Sequence, residues 1–332
     1  MKKRVLYTTL VLLLGCQVQA QVDPHFSQFY AHPLWLNPGL TGVIDGGVRV
    51  TGIYRNQWSA VMTPFTTAGL SADINTNKNI NLGVNLMNQS AGDAGYQYLN
   101  ATFNVAYSGV RFGKDNSQQI TFGIQAGLLS RRFDPGKFQF GDQWNPVTGY
   151  DPGTATADLI TKTSSSVFDA GVGISYFDSD AEKKVNIFGG VGAFHLTRPQ
   201  DPFISSSIKK VLPVRTVLHG GVHFILSERF TITPNLLYMR QGQASEFMLG
   251  LFGQVKANDY TDLLLGANFR ARDAVSPYVG VAFQQFILGT SYDLNISAMG
   301  KAVPGTSSLE VSLTYIGRKS GKPLRYLSCP RF

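Results

Sequence analysis

Alternation of apolar and polar residues with a period of two runs through most of this sequence and constrains its fold more than any other feature. In the stretch 99–107 the odd positions are apolar and most even positions are polar, and the stretches 168–176 and 309–315 repeat the pattern. Successive side chains of a β-strand point to opposite faces, so each stretch has one apolar and one polar or small face. After the first twenty residues, no apolar run approaches the roughly twenty residues that a transmembrane helix needs. The pattern is typical of an antiparallel β-barrel in a membrane.

The alternating stretches predict about fourteen strands, and an even number is expected for a single-chain bacterial barrel. The predicted strands are 48–57, 66–75, 80–90, 97–111, 118–131, 165–177, 185–197, 213–226, 229–241, 244–256, 260–271, 275–283, 286–297 and 307–317. Every second connection is short, whereas the connections 132–164, 197–212 and 298–306 are the three longest and all fall on the other end. Short periplasmic turns and long outer loops are the asymmetry of outer-membrane barrels.

The chain divides into a signal peptide, one barrel domain and two flanking segments. Residues 1–20 combine a basic start with a short apolar stretch and the small-residue site before Gln21, which predicts export and cleavage after Ala20. Lipidation at Cys16 is the alternative, because the sequence LLGC resembles a lipoprotein cleavage site. Residues 21–47 form a non-strand N-terminal segment, residues 48–317 the barrel, and residues 318–332 a basic C-terminal tail. Cleavage after Ala20 leaves Cys329 as the sole cysteine, which excludes an intrachain disulfide.

The net charge of +8 does not indicate nucleic-acid binding. The signal peptide carries three of these charges and the tail five, with no acidic residue in either, so the remainder has no net charge. A nucleic-acid-binding protein needs a basic face on its folded body.

The sequence predicts no catalytic centre, no bound cofactor and no metal site. His219 and His223 are four residues apart in a predicted strand, about 13 Å, which is too far for one metal ion. The glycine-rich runs 171–173 and 189–192 lack the phosphate-loop pattern and open no helix; they are expected to permit close packing in the barrel interior. Asp293, Glu310 and the arginines near them are expected to pair inside the lumen.

Aromatic residues mostly fall near predicted strand ends, where they would form belts at the two membrane interfaces. The residues assigned to these belts are Tyr54, Trp58, Tyr107, Phe112, Tyr176, Phe177, Tyr238, Phe269, Tyr278, Tyr292 and Tyr315. The N-terminal segment differs, because its aromatic residues show no alternation and must be buried against something. We predict a lumen plug or lining, with a docking segment for a periplasmic partner as the alternative.

Seven short motifs resemble the PorP/SprF outer-membrane proteins of the type IX secretion and gliding systems. They are residues 23–30 (DPHFSQFY), 37–42 (NPGLTG), 54–65 with YRNQW followed by PF, 194–199 (FHLTRP), 270–274 (RARDA), 291–297 (SYDLNIS) and 309–313 (LEVSL). In this order and spacing they cover nearly the whole mature chain. Residues 39–41 are GLT where the family is expected to have AYA, which leaves the resemblance standing.

The resemblance implies a non-enzymatic outer-membrane component that assists export of specific proteins or retains adhesins at the cell surface. Its implied partners are type IX secretion components, an exported surface protein and outer-membrane lipid, without nucleic acid or a small-molecule substrate. The N-terminal segment and the tail are expected to face the periplasm. A channel for small solutes is the alternative function. The candidate partner-binding residues are Phe26, Phe29, Tyr30, Trp35, Asn37, Pro38, Arg55, Trp58, Trp144, Arg272, Asp273, Tyr292 and Asp293.

Overall fold

A computed structural model describes most of the chain between residues 23 and 317. The described ranges are 23–59, 63–76, 78–92, 95–156, 162–180, 182–200, 211–303 and 305–317. The predicted signal peptide with its two possible cleavage sites, and the predicted basic tail, lie outside these residues.

Fourteen long antiparallel strands close into one barrel. They are β1 Val48–Gln57, β2 Phe65–Ile74, β3 Ile80–Ala91, β4 Tyr96–Phe112, β5 Gln118–Arg132, β8 Ser164–Asp178, β9 Val185–Phe194, β10 Arg215–Ile225, β11 Phe230–Gln241, β12 Ala244–Lys256, β13 Thr261–Arg270, β14 Ala274–Phe283, β15 Phe286–Asn295 and β16 Ser308–Gly317. Each strand pairs with its neighbours in the chain order, and β16 pairs with β1. The strands β6 Trp144–Asn145 and β7 Gly149–Tyr150 form a small separate hairpin. The predicted barrel of about fourteen strands is therefore confirmed.

The two ends of the barrel differ in the length of their connections. One end, here called the turn end, has connections of two to six residues between consecutive strands. The other, here called the loop end, carries the long connections 133–163, 195–214 and 296–307. The short helix Ala298–Ala302 and the β6–β7 hairpin belong to the loop end. None of the helices in the described ranges is long and apolar enough to cross a membrane.

The wall of the barrel has its apolar side chains outside and its polar side chains inside. Along β16, Leu309, Val311 and Leu313 are exposed, whereas Glu310 and Ser312 between them are buried. The same alternation recurs on the other strands, because adjacent residues of a strand face opposite sides of the wall. A polar interior beneath an apolar exterior is the arrangement of a barrel surrounded by lipid.

Residues 23–47 fill the lumen rather than extending the wall. This segment, here called the plug, contains short helical turns at Phe29–Ala31, Pro33–Leu36 and Pro38–Leu40. Phe26, Leu34 and Trp35 are among its buried side chains. Its apolar groups pack in two clusters against inward-facing residues such as Phe188 and Met87. The segment lies where a lumen plug or lining was predicted.

Candidate functional site

The plug runs through the lumen from the loop end to the turn end. Asp23 contacts Gln241 and His195, which lie at the loop end of the wall. Gly42 contacts Asp73, one residue from the turn end of β2. Of the two predicted positions, periplasmic or inside the lumen, the described part of the N-terminal segment takes the second. The segment lies inside because its apolar aromatic side chains pack against apolar residues of the inner wall.

A group of four charged wall residues holds the plug near its first turn. Arg55 pairs with Glu310 at 2.5 Å and with Asp293 at 2.9 Å, and Arg270 pairs with Asp293 at 2.7 Å. All four side chains are at least 97% buried. The Glu310 carboxylate also accepts hydrogen bonds from two plug backbone amides, those of residues 27 (2.7 Å) and 28 (2.9 Å). The predicted pairing of lumen charges thus fixes the plug as well as the wall.

Asn37 and Pro38 rest on a patch of wall glycines, here called the glycine patch, which includes Gly123 and Gly173. The Asn37 Nδ2 atom donates a hydrogen bond to the Ile174 carbonyl oxygen at 3.0 Å, and its Oδ1 accepts one from the Gly39 amide at 2.8 Å. A Cβ atom at Gly173 would overlap Asn37 Oδ1. The glycine-rich wall therefore allows the plug backbone to approach the strands closely.

The turn end of the plug is held by a third contact. Asp73 accepts hydrogen bonds from the Gly42 amide at 2.7 Å and from Arg49 at 2.8 and 3.0 Å. Arg49 in turn donates to the carbonyl oxygens of Leu40 and Val43 in the plug. Buried backbone polar groups need such partners, and here the wall supplies them.

Asp23 joins the plug to the loop end through a histidine placed between two carboxylates. His195 Nε2 lies 2.5 Å from Asp23 and Nδ1 lies 2.7 Å from Asp169. Burial alone would lower the pKa of His195, but the Asp23 charge and the Asp169 hydrogen bond raise this pKa to about 9. Burial opposes ionisation of Asp23, yet His195 and Arg215 hold the pKa of Asp23 well below its usual range. The protonated imidazole donates to both acids, which leaves neither carboxylate without a partner.

Because His195 must be protonated to donate to both carboxylates, we predict that docking of the plug weakens at high pH. The pKa of His195 is raised from 6.5 to about 9, so its stabilising contribution is complete below pH 6.5 and is lost as pH rises through 9. We expect the difference in melting temperature between wild type and His195→Gln to shrink between pH 7 and 10. Thermal unfolding in detergent at several pH values measures it. His32→Gln is the control, because burial lowers the pKa of His32 to about 4 and the residue does not titrate in this range. A difference for His195→Gln that stays constant with pH would contradict the assignment.

Filling the glycine patch is expected to displace the plug. A Cβ atom at Gly123 would overlap backbone atoms of Pro38, which cannot rotate away. We expect Gly123→Ala to reduce the free energy of unfolding by about 1–3 kcal/mol and to speed protease cleavage within the plug. Gly52→Ala is the control, because a Cβ there meets nothing within 4 Å. Equal behaviour of the two variants would show that the plug does not rest on this patch.

Above the plug, a cavity of about 600 Å³ opens at the loop end and is here called the vestibule. Asp23 and His25 contribute to its floor, and Trp58, Tyr96 and Phe133 contribute to its wall. Amide, hydroxyl and charged side chains add to the lining, together with small or apolar residues such as Leu212 and Ala274. The vestibule combines aromatic surface with hydrogen-bonding groups, as small-molecule sites do.

The structure distributes the candidate partner-binding residues over five environments. Phe26, Phe29, Tyr30, Trp35, Asn37 and Pro38 are buried in the plug, and Arg55 and Asp293 are buried in the charged group at the floor of the vestibule. Trp58 and Asp273 line the vestibule. Arg272 and Trp144 are exposed at the loop end, and Tyr292 faces outward on β15. His195, which holds Asp23, and Phe65, which lines the vestibule, are further residues of the site that the sequence did not indicate by themselves, although both lie inside motifs of the family resemblance.

The assignment of aromatic belts is wrong for three residues. Phe177 lies on the lumen side of its strand and packs against the buried cluster around Phe188. Tyr278 is 6% exposed and packs inside the lumen against Phe252, with ring centroids 5.3 Å apart. Trp58 follows β1 and turns into the vestibule. Aromatic residues serve both lumen packing and membrane interfaces, so their position near a strand end does not separate the two. Tyr54, Tyr107, Phe112, Tyr238, Phe269 and Tyr292 are exposed, consistent with the belts.

Histidine, cysteine and acidic side chains do not converge in groups of three that could hold a metal ion anywhere in the described ranges. His219 lies in the lumen, with Nε2 3.0 Å from Asn37 Nδ2 and Nδ1 3.4 Å from the Tyr30 hydroxyl. The histidine pair singled out in the sequence is therefore split, because His223 contacts Thr233 instead. These contacts support the plug and its wall.

The sequence matches a known protein family, and the fold is similar to solved barrels. Residues 18–315 match the sequence model of the family described as type IX secretion system membrane protein PorP/SprF. No curated protein matches the chain. Among solved structures, a TodX mutant monoaromatic hydrocarbon channel is similar with a TM-score of 0.50 and 10% identity, covering 85% of this chain and 93% of that one. The Ralstonia pickettii toluene transporter TbuX gives a TM-score of 0.48 and 8% identity, covering 88% and 94%. These similarities concern the barrel fold.

Proposed function

The chain belongs to the PorP/SprF family of type IX secretion system membrane proteins, and from this premise we propose that it binds an exported protein at the cell surface. As a type IX secretion component with a barrel fold, it resides in the outer membrane. We infer that it is not an enzyme and that it assists export of particular proteins or anchors them, including adhesins of the gliding apparatus. The loop end would face the cell exterior and the turn end the periplasm.

The filled lumen is the observation that carries this proposal. The plug is held at three levels by wall charges and is buried along almost all of its described length. A barrel built around a protein plug can serve as a rigid platform, with its loops as the binding surface. The β6–β7 hairpin exposes Trp144 (54%) and Val147 (91%) at the loop end. Exposed apolar groups of this kind favour contact with another protein.

Site-specific photo-crosslinking in the native membrane tests the proposal. A crosslinker at Val147 is expected to capture the exported protein, and one at Asp259 in a turn-end connection is expected to capture periplasmic type IX components. A crosslinker at Tyr54 is the control, because this side chain lies on the outer face and is expected to meet lipid. The proposal fails if Val147 captures no protein while secretion is active, or if the two ends give the same partners.

Passage of small solutes is the second candidate function. It is supported by the vestibule and by the similarity of the barrel to a hydrocarbon channel. A channel of this kind would take up solute into liposomes at a rate that depends on the protein, whereas a plugged platform would not. Uptake of a labelled aromatic hydrocarbon, compared with liposomes lacking the protein, separates the two functions. Deletion of the gene without any effect on secretion would favour the channel.

A further inference from the structure

The lining of the vestibule combines aromatic rings with neutral polar groups. Two aromatic pairs form one side of it: Trp58 with Phe65, their centroids 5.1 Å apart, and Tyr96 with Phe133, 5.0 Å apart. All four of these side chains are partly exposed. Flat aromatic rings of this kind can receive the C–H face of a sugar ring, which is apolar.

Trp58 is held in an unusual backbone conformation. Its φ angle is +60°, in the left-handed region that bulky residues rarely adopt. The Trp58 amide donates a hydrogen bond to the Ser307 carbonyl oxygen at 3.2 Å, which ties this turn to the connection before β16. Backbone strain of this kind concentrates at ligand-binding positions.

The polar lining suits a neutral ligand with many hydroxyl groups. Gln57, Gln89 and Asn295 bring carboxamides to the vestibule, and Thr306 and Ser308 bring hydroxyl groups. Carboxamides both donate and accept hydrogen bonds, as sugar hydroxyls require.

The charges around the vestibule do not select an anion. Three arginines and three aspartates line it: Arg55, Arg131, Arg270, Asp23, Asp273 and Asp293. Arg55 and Arg270 are already paired with Asp293. A phosphate or nucleotide would need an excess of positive charge, which this balance does not offer.

The wall also disfavours an extended peptide as the occupant. Peptides added to sheets are bound through backbone hydrogen bonds at a free strand edge. Strands β1 to β5, which carry the aromatic side of the vestibule, are paired with their neighbours along these residues. Recognition in the vestibule must therefore come from side chains.

We propose that the vestibule is a binding site for a short neutral saccharide, with Trp58 as the main stacking residue. The site lies at the loop end, above the plug, so that a ligand reaches it without passing the plug. The proposal is independent of the exported partner, because it rests on the lining of the cavity alone.

Calorimetric titration of the full-length protein tests this, in a detergent whose headgroup is not a sugar. The probes are maltotriose, chitotriose and mannotriose, and at least one is expected to bind with a dissociation constant on the order of 0.1–1 mM. Trp58→Leu is expected to weaken that binding by about tenfold or more. Tyr54→Leu is the matched control on the same strand, because Tyr54 lies on the outer face and should leave binding unchanged.

Three outcomes would overturn the proposal. They are absence of saturable binding for all three saccharides, equal loss of binding in Trp58→Leu and Tyr54→Leu, and binding of the uncharged peptide acetyl-Gly-Tyr-Phe-amide in place of the saccharides. Thermal unfolding of both variants confirms that they are folded. Crosslinking of the exported protein at Val147 is a separate readout, so failure here leaves the proposed function standing.

Discussion

Replacing Glu310 with alanine is expected to lower the free energy of unfolding by about 3–5 kcal/mol, the cost of breaking a buried ion pair by removing one of its partners. Arg55, which is 1% exposed, would lose its contact at 2.5 Å. The amides of Ser27 and Gln28 would lose their acceptor at the same time. Thermal unfolding in detergent, together with heat-dependent migration in gel electrophoresis, measures the change.

A matched set of variants separates the effect of the Glu310 charge from the effect of its side-chain volume. Glu310→Gln keeps the side-chain volume and one acceptor, so it should lose less stability than Glu310→Ala. Arg55→Met combined with Glu310→Leu removes both charges and should recover part of the loss. Glu228→Ala is the control, because Glu228 is exposed in a turn-end connection. If Glu310→Ala and Glu228→Ala unfold at the same temperature, Glu310 does not hold the plug.

Deleting residues 23–45 is expected to convert a barrel that carries no ionic current into a conducting pore. The plug occupies the lumen, and a large part of the wall behind it is polar, as the buried side chains of Thr51, Asn85 and Ser312 show. Water and ions would therefore fill the space that the plug leaves. Single-channel recording in a planar bilayer should give stepwise currents for the deletion and none for the full-length protein.

A second variant tests the role of the plug without a deletion, so that the test does not depend on whether the shortened chain folds. Asn37→Ala combined with Glu310→Gln weakens two plug contacts in the full-length chain and should give brief, irregular openings. Steady currents from the unaltered protein would show that the plug leaves a path. A folded deletion without any current would show that the barrel is closed by something other than residues 23–45.

The strands could be predicted from the sequence because their signal is local. Predicted and observed bounds agree within three residues for every barrel strand, including 48–57 and 244–256, which agree at both ends. Alternation is read over neighbouring residues, and the barrel imposes it on every strand. Tyr278 was misplaced although the same signal was present. It shares its face of β14 with Ala274 and Ser276, which are buried in the lumen.

The contacts that hold the plug could not be predicted in the same way. Asp23 and His195 are 172 positions apart, and Ser27 and Glu310 are 283 apart. Sequence periodicity gives the face of each residue but not which residue of a non-strand segment it meets. The aromatic content of residues 26–36 indicated burial, yet only the structure shows its direction from loop end to turn end.

Arg55 and Glu310 also stand opposite each other in the register of β1 and β16. These are the first and last strands of the barrel, so this ion pair bridges the seam at which the cylinder is sealed. Because the Glu310 carboxylate also accepts hydrogen bonds from two plug amides, its hydrogen bonds are complete only when both the plug and the first strand are in place. The residues that fill the barrel thus also contribute to its closure.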